Sequence, residues 1–135
     1  MFDTITLLDL DITAAVSATA VAGDNTLYAM QGLALEANFD SGAGGTSAKA
    51  YVQTSLDGGV TWIDIACFAF TTSDAVSVGN LSARTPVTTL FAPADGALAD
   101  NTVKDGVLGD RLRVKYVTTG TYTAANLKIY ATPKP

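Results

Sequence analysis

The sequence has no histidine, a single cysteine (Cys67) and a single glutamate (Glu36) among its 135 residues. Without histidine, the commonest general base, most catalytic triads and most zinc sites are excluded. Cys67 alone forms no internal disulfide and builds no Cys-rich metal cluster. Charge is scarce too. Eight Lys and Arg and thirteen Asp and Glu make up 16% of the chain and leave a formal net charge of -5. That charged share is well below the usual quarter. A chain of this sign is a poor ligand for nucleic acid or an anionic membrane surface, so neither is an expected partner. No apolar run reaches the ~18 residues needed to span a bilayer. The opening MFDTITLLDLDI mixes acids with apolar residues and has no basic stretch, so a secretory signal is not expected there. These deficits disfavour an enzyme, and no cofactor or metal is expected.

What is present is 48% hydrophobic residues, with Thr, Ser, Gly and Ala filling the balance. Neutral, Thr-rich surfaces suit sheets better than helices. The length fits a single domain spanning 1–135. Thr4 to Ile12 reads as a strand, with Thr6, Leu8, Leu10 and Ile12 on one side. Ile12 to Ala22 permits a helix, but its Thr, Val and Ser favour a strand. Gly23-Asp24-Asn25 reads as a turn, Leu27 to Phe39 as a long strand bulged near Gly32, and Ser41 to Gly45 as a flexible loop.

The clearest element is a hairpin. Ala48, Ala50, Val52, Thr54 and Leu56 alternate with Lys49, Tyr51, Gln53 and Ser55. Asp57-Gly58-Gly59 follows, then Val60 to Phe70. In that second arm Trp62, Ala66, Phe68 and Phe70 fall on one face and Ile63, Ile65 and Cys67 on the other. Strands are also expected over Ala75–Leu81, Val87–Phe91, Leu112–Thr118 and Leu127–Ala131. Arg111, Arg113 and Lys115 form a basic outer stripe, and Thr121 to Ile129 is expected to return as a hairpin arm. Eight or nine short strands with regularly spaced turns predict an all-β, antiparallel sandwich or jelly roll. Residues 91–109 show no period and carry Pro, Gly and Asp, as a protruding interaction loop would. Pro133-Lys134-Pro135 is expected to be exposed, since proline does not extend a central strand.

Ser55, Asp57, Gly59, Thr61 and Trp62 spell S-x-D-x-G-x-T-W, which resembles the Asp-box hairpin of sialidases and other β-propellers. The box is structural there and repeats from blade to blade, whereas here it occurs once. It is read as a turn: Asp57 accepts backbone N–H groups, glycine takes positive φ and Trp62 packs back over the strands. Asp95, Asp100, Asp105 and Asp110 lack the EF-hand spacing and read as solvated loop acids. Cys67, inside IDIACFAF, reads as a buried structural thiol.

Three runs carry a further resemblance: AYVQTSLDGGVTWIDIA (50–66), NLSARTPVTT (80–89) and DGVLGDRLRVKY (105–116). They resemble small structural proteins encoded by tailed bacteriophages and prophages. The resemblance implies a β-sandwich virion component without catalytic residues. Such a protein, made in the host cytoplasm, would lie on the outer surface of the capsid. There it would act as a decoration or cement protein that binds the major capsid protein and itself, as a homotrimer. The contact residues expected from this reading fall in three places. They are Phe2, Ile5 and Leu7 of an N-terminal arm (1–12); Asp95, Leu98, Asp100, Asn101, Val103 and Asp105 of the 91–109 loop; and Arg111 and Arg113. The alternative is a tail or spike adhesin with a carbohydrate-binding sandwich, using Trp62 and the tyrosines as stacking surfaces.

Overall fold

The computed structural model describes residues 3–135. Its regular elements are strands: β1 (Ile5–Ile12), β2 (Val16–Asp24), β3 (Gly32–Asp40), β4 (Ala43–Gly44), β5 (Ser47–Thr54), β6 (Ile63–Phe70), β7 (Ala75–Ser82), β8 (Thr102–Val103), β9 (Leu112–Thr119), β10 (Tyr122–Thr123) and β11 (Ala125–Lys134). The all-β class expected from composition is what the chain adopts. Eight strands are long, and β4, β8 and β10 are two-residue pairings.

The strands form two principal antiparallel sheets, ordered β1-β11-β3-β7 and β2-β9-β5-β6-β8, while β4 and β10 pair with each other. Counted in chain order, the eight long strands run 1-8-3-6 in one sheet and 2-7-4-5 in the other. Among them only the β5–β6 connection stays within a sheet. Every other passage crosses the sandwich, so the two layers are laced together along the whole chain.

Period-two patterning explains the core. Leu33, Leu35, Ala37 and Phe39 of β3 and Leu127, Ile129 and Ala131 of β11 point inward from one sheet. Ala48, Ala50 and Val52 of β5, Leu112 and Val114 of β9, and Phe68 and Phe70 of β6 meet them from the other. Phe39 stacks on Phe70 at a centroid separation of 5.0 Å and meets Tyr122 edge-on at 5.8 Å. Tyr122 donates its hydroxyl to the Thr71 carbonyl, so its polar tip is satisfied as its ring is buried.

Two bulges change faces that simple alternation assigns. Thr6 pairs with Tyr130 and Leu8 with Ile129, so Leu7 is the extra residue; Leu7 and Leu8 are both buried and Thr6 is exposed. In β6, Ala66 pairs with Val52 and Asp64 with Gln53, which leaves Ile65 as the extra residue. Ile65 therefore joins Ala66 in the core, rather than sharing a face with Cys67. A bulge inserts one residue and shifts every later side chain by one face.

Other expectations are corrected as well. Leu27–Gln31 is not strand: the chain turns at Tyr28 and Ala29, while Leu27 and Met30 are buried as a plug at the end of the sandwich. Gly23 and Asp24 still belong to β2, where a Cβ on Gly23 would collide with the Leu112 carbonyl. The turn begins at Asn25, and the Asp24 carboxylate fixes it by accepting the Thr26 amide at 2.8 Å. Val87–Phe91 is irregular and belongs to one long segment after β7. β11 is not a hairpin partner of β9, since it lies between β1 and β3 in the other sheet. Pro133 is buried within β11, opposite Leu33. The last β11 residue paired with β1 is Ala131, so the proline nitrogen falls beyond the end of β1, where no donor is needed.

Candidate binding surfaces

The two outer faces of the sandwich differ. The face of the five-stranded sheet is covered by its own chain, because residues 91–109 fold down on it instead of protruding. Asp64 is the anchor. Its side chain is 2% exposed, and its carboxylate accepts the backbone amides of Gly96 (2.9 Å), Ala97 (2.8 Å) and Leu98 (3.0 Å). The Asp64 amide donates to the Ala94 carbonyl at 2.8 Å. Further along, β8 pairs with Cys67 and Ala66 of β6, Lys104 donates to the Ile65 carbonyl, and the Gly109 amide donates to Thr54 Oγ1. A buried carboxylate is costly unless it is fully hydrogen-bonded, and here the segment's amides and the Gln53 side chain supply those bonds.

The basic stripe is consumed by the same segment. Lys115 Nζ lies 3.0 Å and an Arg113 nitrogen 3.7 Å from Asp95 Oδ1. Partial burial pushes the Asp95 carboxyl up, but the Gln53 amide and these two cations outweigh it and hold the group below its usual range. Arg111 pairs with Asp110 and reaches the Gly58 carbonyl at 2.9 Å, which ties the segment's exit to the β5–β6 turn.

That turn is held by its own side chains. Asp57 accepts the amides of Thr61 (2.8 Å) and Val60 (3.1 Å), and the Ser55 hydroxyl donates to it at 2.9 Å. The Gly59 amide donates to Ser55 Oγ, and Gly58 and Gly59 have φ of 78° and 94°, which glycine tolerates without strain. Mainly through the Thr61 amide, the Asp57 carboxyl is held down at about 2. Trp62 is half-buried. Its indole N–H donates to the Gly59 carbonyl at 3.0 Å and the Arg113 guanidinium lies 4.2 Å from its ring centroid.

The expected contact residues scatter. Phe2 lies outside the described residues. Leu7 is buried in the core of its own chain and Ile5 packs against that core, so residues 5–12 form an integral edge strand and not a free arm. Leu98 is half-buried, and Asp100 pairs with Lys49 at 2.9 Å. Asn101 accepts the Ala69 amide at 3.1 Å. Val103, in β8, lies against Gly79. Asp105 accepts the Ser82 amide and the Thr85 hydroxyl, which hold its carboxyl below the usual range.

The surface left free is elsewhere. Because the sheets are antiparallel, the β2–β3 and β5–β6 connections and the long segment after β7 all meet at one end of the sandwich. At this end Tyr28 is 78% exposed, Leu56 63% and Val60 83%. Large apolar side chains held out in water mark contact surfaces when they cluster on one part of a molecule. Val76 and Val78 are exposed on β7, at one edge of the four-stranded sheet. Period-two reading finds these valines but does not say which face is left bare. Asp64 is hidden from sequence reasoning by the apolar run IDIACFAF around it, in which one acid is itself the signal of a buried, bonded carboxylate. No protein-family model, curated protein or solved structure matches the chain.

Proposed function

We propose that the chain is a bacteriophage virion protein of the decoration type, which binds the assembled capsid shell and bridges its major subunits. The observation that carries this reading is the end of the sandwich described above. Leu56 and Val60 are presented on a turn locked by Asp57, and Tyr28 on the neighbouring connector, so apolar contact area is held out on a rigid frame. A preorganised surface loses little conformational entropy on docking. The strand order supports the reading as well: 1-8-3-6 over 2-7-4-5 is what we read as a jelly roll, an architecture used by viral capsid and lectin domains. The three phage-like runs are consistent with it.

The mechanism is binding alone. A protein that binds the assembled shell and not its dissociated subunits stabilises the assembly by mass action, by about 2.7 kcal/mol per site at a hundredfold excess over Kd. The test is thermal: shells are melted with and without the protein, and with the Tyr28→Ser/Leu56→Asp/Val60→Asp variant. Raised shell stability with the native chain and none with the variant is expected. Equal melting of bare and decorated shells overturns the reading.

The second reading is a tail or spike adhesin that stacks sugars on an aromatic ring. The exposed Tyr28 is the observation in its favour, whereas one face of Trp62 is already taken by Arg113. Saturable glycan binding lost in Tyr28→Ser, with no affinity for shells, would select it.

A further inference from the structure

The four edges of the two sheets are unequal. β1 carries the Leu7 bulge and the exposed Asp9 and Asp11. β2 loses register with β9 at two places. β8 is two residues long. Bulges, charges and brevity are what keep a sheet edge from pairing with another chain. β7, AVSVGNLS, has none of them. It runs eight residues in unbroken register with β3, from Phe39↔Ala75 to Gly32↔Ser82, without a charge or a proline.

The backbone of β7 is set for a partner. The Ala83 amide donates to the Gln31 carbonyl, so odd-numbered residues of the strand bond to β3. In an antiparallel ladder the alternate residues face the other way. The amides and carbonyls of Val76, Val78 and Asn80 therefore point to the free edge. Ser82, next in that series, shows it directly, since its amide bonds the Asp105 carboxylate. The Val76 and Val78 side chains are 58% and 74% exposed.

We propose that β7 joins two copies of this chain, antiparallel, across a two-fold axis at Ser77. That register places Val76 opposite Val78 of the second copy, and Val78 opposite its Val76. Both are hydrogen-bonded pairs, so the edge groups of all four valines are satisfied while their side chains cover one another. Residue 76 meets 78 and 78 meets 76, the reciprocity an isologous contact requires. Moving the axis to Val78 would set Val76 against Asn80, and moving it to Val76 would set Val78 against Asp74. Two chains of net charge -5 repel wherever their acids meet, and the uncharged β7 strand is where they approach at least cost. On the inner side Ser77 and Gly79 are small and border a cleft of about 290 Å³ shared with Phe68 and Val103. The product is one continuous sheet twice as wide as the four-stranded one. The contact does not depend on shell binding, which was assigned to Tyr28, Leu56 and Val60.

The test is sedimentation of the full chain and of three variants, with circular dichroism to check that each is folded. The native chain is expected at twice its 13.9 kDa mass. Val76→Lys/Val78→Lys sets lysine against lysine in both pairs and should dimerise at least about a hundredfold more weakly. Val76→Glu/Val78→Lys sets each glutamate against a lysine of the other copy and should restore the dimer. Val78→Pro removes an edge amide without touching the β3 ladder and should be monomeric. A native monomer, or a trimer or dimer that survives the double lysine change, overturns the proposal. So does a folded glutamate–lysine variant that stays monomeric.

Discussion

Gln53 and Asp64 face each other beside the β5–β6 bulge, and Gln53 Nε2 donates to Asp64 Oδ1 at 2.7 Å. The same nitrogen donates to Asp95 Oδ1 at 2.7 Å, and Gln53 Oε1 accepts the Arg113 Nε–H at 2.7 Å. One buried amide thus ties together two strands, the covering segment and the cation over Trp62. Asp64→Ala removes one of the two acceptors of this amide and leaves three backbone donors without theirs. It should cost about 2–4 kcal/mol of stability, measured by urea denaturation. It should also open residues 91–103 to limited proteolysis before the rest of the chain unfolds.

The second prediction concerns acid. The Asp57 carboxyl sits at about 2 in the folded chain, against about 3.9 for a free aspartate. The folded state therefore holds the charge where the unfolded chain would take a proton. The resulting stability is fully present above about pH 4 and is lost as the pH falls toward 2. Asp57→Asn should melt below the native chain at pH 7, and the gap should close on acidification. A gap independent of pH between 7 and 2 would show that Asp57 does not act through its charge.

Cys67 offers a probe of the covering segment. It is buried, it pairs with Thr102 of β8, and burial pushes its thiol up. The thiolate is the reactive form, so the native chain should resist a maleimide at neutral pH and react after denaturation. In Asp64→Ala labelling should quicken at least about tenfold, because the segment opens locally. Equal labelling rates in the two folded proteins would mean that Asp64 does not hold β8 down.

Two proline exchanges test the strand orientation of β11. Ala131 is in register with Ile5 of β1, and its amide faces that strand, so Ala131→Pro should cost about 3 kcal/mol or more. Pro133 lies past the end of β1, so Pro133→Ala should cost no more than about 1 kcal/mol, mainly through the freer unfolded chain. Calorimetry on the two variants gives the comparison.

Much of the architecture is legible in the sequence, and the exceptions share a cause. β3, β5, β9 and β11 alternate cleanly because each has one face on the core. Asp57-Gly58-Gly59 announces its turn through local chemistry alone. The bulges at Leu7 and Ile65 are set by the partner strand and have no local mark. Leu27 and Met30 look like strand because burial, not extension, demands apolar residues there. Residues 91–109 look free because what binds them, Asp64 and Gln53, lies some thirty to forty residues away in the sequence. Of the candidate surface, the valines of β7 are visible as an uncharged stretch, whereas Tyr28 and Val60 meet at one end only through the topology.

The pairing of Ile5 with Ala131 bears on how the protein is made. β11 lies between β1 and β3, so until it is in place one sheet is a lone strand and a separate pair. Built from its N-terminal side, the chain therefore carries its first strand unpaired until residues 125–134 join it, and a chain without those residues would leave β1 with nothing to bind.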